Sequence, residues 1–130
     1  MIKFVIDNYN DLLNMHKALM EAKFHENPDN NCIAGSPIIA RIMNQIVEIL
    51  SENDPYNGSW EIWRNIKSHR TDECGGNSEW SKMIKSAARN ENWSKYSYEK
   101  KLEVASIYLS PFTYDSQDLI DFVDHVDEFN

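Results

Sequence analysis

The residues of this chain that are able to do chemistry are scattered. His16, His25, His69 and His125 stand singly. None lies three or four residues from another His or Cys, the spacing by which one helix face offers two zinc ligands. His25, Glu26 and Asp29 can gather around a metal, although a polar turn accounts for them without a ligand. Cys74 precedes Gly75 and Gly76 in a loop, where a thiol can act as a nucleophile if a histidine lies nearby in space. A small enzyme using Cys74 or His69 is one reading. Cys32, flanked by Ile33 and Ala34, reads as a small buried hydrophobe. There is no GxSxG, no phosphate-cradling glycine loop and no HExxH. Nothing implies a metal or a cofactor, and the expectation is a protein that is not an enzyme.

Acids and tryptophans carry the stronger signal. The formal net charge is −8. Residues 1–114 hold 15 acids against 13 Lys or Arg, a net of −2, whereas residues 115–130 hold six acids and no Lys or Arg. Asp118, Asp121, Asp124, Asp127 and Glu128 fall on a single predicted helix. Asp124, Asp127 and Glu128 lie at its C-terminal end, where the macrodipole disfavours them by about 0.3–1 kcal/mol each, and no basic residue four positions away offsets them. A sequence selected only for stability would mix in Lys. The acids are either a docking face for a cationic partner or a solvated face against which Lys or Arg from elsewhere folds. Trp60, Trp63, Trp80 and Trp93 lie within 34 residues. Trp60 and Trp63, three apart, read as a core stripe. Trp93, in polar surroundings, is the one expected at the surface, where tryptophan serves as an interface anchor.

These side chains need elements to hold them. Ser36 to Leu50 predicts a helix with Ser36 as cap and Pro37 in the first turn. Ile39, Ile42, Ile46 and Ile49 recur on it, and Ile38, Met43, Val47 and Leu50 widen the stripe. It is expected to be the buried scaffold around which the rest packs. Before it, Ile2, Phe4 and Ile6 alternate as a short strand does. Tyr9, Leu12, Leu13, His16, Leu19, Met20 and Phe24 mark a helix capped by Asn8 or Asn10. HENPDNN ends that helix. Ser59 is expected to cap a helix running to Arg70, and Ser78 another running to Asn90. A further helix spans about Tyr98 to Leu109, before Pro111. Asp115 or Ser116 starts the last, with Leu119, Phe122, Val123 and Val126 inward. Five or six short helices, short loops and no repeat describe one compact all-α domain over 1–130, a bundle.

Length and composition agree with that. The chain has 130 residues, enough for one core and too few for two. Two cysteines make no disulfide framework. The N-terminus lacks the apolar run of a signal peptide, and no run approaches a membrane span. The expectation is a cytoplasmic protein with reduced thiols and no membrane partner. Its charge makes it a poor ligand for nucleic acid, which needs a basic face, and a better one for a basic protein.

In general style, the segment NCIAGSPIIARIMNQIVEIL and the acidic end DSQDLIDFVDHVDEFN resemble those of bacterial toxin-immunity proteins of contact-dependent growth inhibition systems. The resemblance implies a one-to-one complex with a cognate toxin domain, frequently a basic nuclease. The residues that the charge pattern offers as a binding face are Asp118, Asp121, Asp124, Asp127 and Glu128, with Trp93 beside them. The other binder of this kind is a phage-type acidic nucleic-acid mimic or anti-defence inhibitor. Such a mimic spaces acids over most of its length, whereas here they are local.

Overall fold

The computed structural model describes residues 1–25, 32–55, 58–70 and 76–130. Among the described residues the chain is all-α, with six α-helices: α1 Tyr9–Lys23, α2 Pro37–Glu52, α3 Ser59–Arg64, α4 Glu79–Ala88, α5 Tyr98–Leu109 and α6 Ser116–Phe129. Two short 3-10 helices, Ile66–His69 and Trp93–Lys95, lie between them. The caps expected at Asn8, Ser36, Ser78 and Asp115 form, Ser97 adds one that was not expected, and Ser59, expected as a cap, is instead the first residue of α3, with no side-chain cap before it. The side chains of Asn8, Ser36, Ser78, Ser97 and Asp115 each accept from the backbone N–H three residues on, satisfying a donor that the first turn leaves free.

Three expectations fail on geometry. Ile2 to Ile6 is no strand. No second strand is present among the described residues to complete a ladder, and Met1, Ile2, Phe4 and Val5 stand exposed. The helix expected from Ser59 to Arg70 breaks at Asn65. That residue is extended, and its side-chain oxygen accepts from the Lys67 N–H at 3.0 Å. The residue before this helix is Gly58, at φ +82°, a left-handed conformation that glycine adopts freely. The third correction concerns α2. It buries Ala40, Met43, Ile46, Val47 and Leu50 and leaves Ile38 and Ile49 exposed. Its apolar residues nearly encircle it, so periodicity alone did not choose the buried side.

The centre lies elsewhere. α6 packs on α4 and on α5, α4 packs on α5, and α2 packs on α1, α3 and α5. Trp80, Met83, Ile84, Ala105, Leu109, Phe122, Val123 and Val126 are fully enclosed between α4, α5 and α6. Cys32, expected inside, is exposed. No described helix is long and apolar enough to cross a membrane.

Candidate functional site

The acidic helix is held by cations that arrive from half a chain away. The break at Asn65 makes this possible. The Ile66 N–H donates to the Thr113 carbonyl at 3.0 Å, and the Thr113 N–H donates to the Arg64 carbonyl at 2.8 Å. This two-rung clip sets the 3-10 turn beside the start of α6. Lys67 Nζ then lies 2.7 Å from both Asp115 Oδ2 and Asp118 Oδ2. Arg70 donates from Nη1 to Asp118 Oδ1 at 2.9 Å and from Nη2 to Asp121 Oδ2 at 3.2 Å, and its guanidinium lies 4.0 Å from the Trp80 ring centroid. Asp118 also closes a reciprocal cap with Asp115. Its N–H donates to Asp115 Oδ1 at 2.8 Å, and its Oδ2 accepts from the Asp115 N–H at 2.9 Å.

These contacts fix the charges. The Lys67 ammonium and the Asp118 N–H hold the Asp115 carboxyl down at about 2. The Gln117 amide and Arg70 lower Asp121. Asp115 and Asp118 in turn raise Lys67. At the far end of α6, Asp127 Oδ1 accepts from Trp93 Nε1 at 2.8 Å and from Lys101 Nζ at 2.9 Å.

Two of the residues assigned to a partner face are therefore corrected. Trp93 is only 1% exposed, its indole N–H used by Asp127 and its ring enclosed by the core. Asp118 is also 1% exposed, and its oxygens are taken by Lys67, Arg70 and the helix cap. Asp121 is partly covered, and Asp127 is exposed but paired. Asp124 and Glu128 are exposed and make no ion pair among the described residues. Four of the six acids of residues 115–130, Asp115, Asp118, Asp121 and Asp127, thus meet three cations, Lys67, Arg70 and Lys101. The sequence carried a signal for this. Arg64, Lys67 and Arg70 repeat every third residue, as do Asp115, Asp118, Asp121, Asp124 and Asp127.

A second arrangement was not foreseen. A cleft of about 610 Å³ opens between α1, α3 and the start of α4. His16, Trp60 and Trp63 line it as three near-perpendicular rings. Their centroids lie 5.2 Å (His16 to Trp60), 5.1 Å (His16 to Trp63) and 5.5 Å (Trp60 to Trp63) apart, the edge-to-face geometry that aromatic quadrupoles favour. Trp60 Nε1 donates to the Tyr9 hydroxyl at 2.9 Å. His16 is buried, and its Nδ1 has no hydrogen-bond partner among the described residues. Burial, with Lys17 adding repulsion, lowers His16 to about 4, so the ring is neutral at pH 7.

A second histidine, His69, is in ring contact with Trp63, their centroids 5.8 Å apart. His69 Nδ1 lies 3.1 Å from Glu79 Oε2, and Nε2 lies 2.7 Å from the Trp63 carbonyl. Burial works against its charge, but Glu79 and the carbonyl outweigh it and raise the pKa. With both nitrogens facing acceptors, His69 offers no free nitrogen for proton abstraction. Cys74, Glu26 and Asp29 lie outside the described residues. Among the described residues no group of three or more His, Cys, Asp or Glu side chains is placed to hold a metal. No family model, no curated protein and no solved structure matches the chain.

Proposed function

We propose that this chain is an immunity-type binding protein that holds a basic toxin domain against the outer edge of α6. One observation carries the reading. Lys67, Arg70 and Lys101 already answer four of the acids, yet Asp124 and Glu128 are exposed and without an ion pair among the described residues at the C-terminal end of the helix. The helix dipole disfavours Glu128 in the last turn, and Asp124, one turn earlier, makes no ion pair among the described residues, so stability does not account for them. Their negative charge faces outward. A nuclease that attracts phosphates has a positive cleft, and complementary charge of this kind raises association rate and specificity. The proposed face is thus narrower than the sequence suggested, with Asp124 and Glu128 at its centre and Asp121 and Asp127 at its edges.

The test is co-expression of the tagged chain with the product of the neighbouring upstream gene, followed by affinity measurement at low and high salt. The expected result is a one-to-one complex that weakens with salt. The double variant Asp124→Lys/Glu128→Lys should bind at least about tenfold more weakly with a melting temperature that does not fall. An unchanged affinity in that variant removes α6 from the interface, and the absence of any complex removes the reading.

A further inference from the structure

The cleft between α1 and α3 is independent of the acidic helix, and its chemistry is different. Leu13, Met20, Trp60 and Trp63 give it apolar walls. Its ionisable lining is balanced, Lys17 and Lys82 against Glu21 and Glu79, so it selects neither anions nor cations in a protein that is otherwise strongly acidic. The His16 ring adds an uncharged aromatic surface, held neutral by its burial. Its Nδ1, buried with no hydrogen-bond partner among the described residues, is a polar group that those residues leave unaccounted for. The volume of about 610 Å³ falls in the range of small-molecule sites, about 300–1,000 Å³. The α3 wall is six residues long, about 9 Å at the helical rise, which suits a fused ring system.

We infer that this cleft is a binding site for a neutral, planar aromatic small molecule, seated against the Trp60–Trp63–His16 rings. The rings supply flat, weakly polar walls that stack on or edge against another ring. The balanced rim admits a ligand without charge and imposes no Coulombic gain on a charged one.

Indole is a suitable probe, titrated into the full chain labelled with 15N and followed by the four tryptophan side-chain N–H resonances. The expected result is a saturable shift of the Trp60 and Trp63 signals with Kd on the order of 1 mM, as for a fragment of that size. Trp80 and Trp93, enclosed elsewhere, should stay in place. Indole-3-acetate and tryptamine should both bind more weakly than indole. Ser59 is exposed at the cleft edge, so Ser59→Phe should block the site while leaving the fold, checked by the Trp80 and Trp93 signals, intact. Shifts that fail to saturate, that appear equally at all four tryptophans, or that persist in Ser59→Phe would overturn the assignment. Tighter binding of either charged analogue would overturn the part of it that rests on charge balance. Each readout is made without a protein partner, so the result is separate from the fate of the inhibitor reading.

Discussion

At the scale of single residues, Asp118 and Asp124 show how misleading identical side chains on one helix can be. Both are aspartates of α6, two turns apart. One is enclosed by Lys67, Arg70 and a reciprocal cap, and the other is in water. Removing a buried carboxylate costs far more than removing an exposed one, because Arg70, itself largely covered, keeps its desolvation and loses its counter-charge. Asp118→Asn should therefore lower stability in chemical denaturation by about 3 kcal/mol, while Asp124→Asn should change it by no more than about 0.5 kcal/mol. Equal effects would mean that Lys67 and Arg70 do not hold Asp118 in solution. The sequence showed six acids without local partners. It did not show which were answered, because Lys67 and Arg70 lie 48 and 51 residues away from the acids they meet.

Between elements, the informative link is Lys23, at the end of α1. Lys23 is 1% exposed, and its ammonium donates to the carbonyls of Ile107 and Ser110 at 2.7 and 2.5 Å at the end of α5, the first of which also accepts from the Ser110 N–H at 3.3 Å. One side chain thus ties two helices that are 84 or more residues apart in sequence. Lys23→Met keeps the length, takes the ammonium from the Ser110 carbonyl and leaves the Ile107 carbonyl only the Ser110 N–H, and should cost about 2 kcal/mol. Burial lowers Lys23 to about 7. Between that value and the ordinary lysine range the unfolded chain binds more protons, so this group makes stability rise with pH. The Met variant should lose that slope between pH 7 and 9 in denaturation midpoints. Helix existence was legible here because caps, prolines and periodicity are local. The buried face of α2 was not, since an apolar residue on nearly every side leaves the choice to its neighbours. Nor was the break at Asn65, which the clip to Thr113 stabilises from 48 residues on. The cleft was invisible for the same reason, being made by α1, α3 and α4 together.

For the molecule as a whole, two histidines in ring contact with Trp63 set opposing responses to acid. The His16 and His69 ring centroids lie 5.1 and 5.8 Å from that of Trp63. His16 is kept neutral by burial, with Lys17 beside it, and Lys82, Glu21 and Glu79 also line the cleft. Between pH 6.5 and 4 the unfolded chain takes up a proton at this position that the folded chain refuses, so stability falls as pH falls through that window. The loss amounts to at most about 3 kcal/mol. His69 acts in the other sense. Its raised pKa gives a contribution that is fully present below the ordinary histidine value and lost as pH rises through the folded one. Glu79, held down by His69, and Asp121, held down by Gln117 and Arg70, lose their contributions only as pH falls further, through their lowered values. Denaturation midpoints measured from pH 7.5 to 4 separate these terms. The native chain should begin to lose stability near pH 6.5, before its carboxylates titrate. His16→Leu should flatten the curve from pH 6.5 to about 4, whereas His69→Gln should leave the slope below pH 6.5 unchanged and remove the gain in stability that acidification brings above it. A His16→Leu curve that parallels the native one would place the acid sensitivity outside the ring cluster. It would also mean that the His16 imidazole is not held neutral by burial.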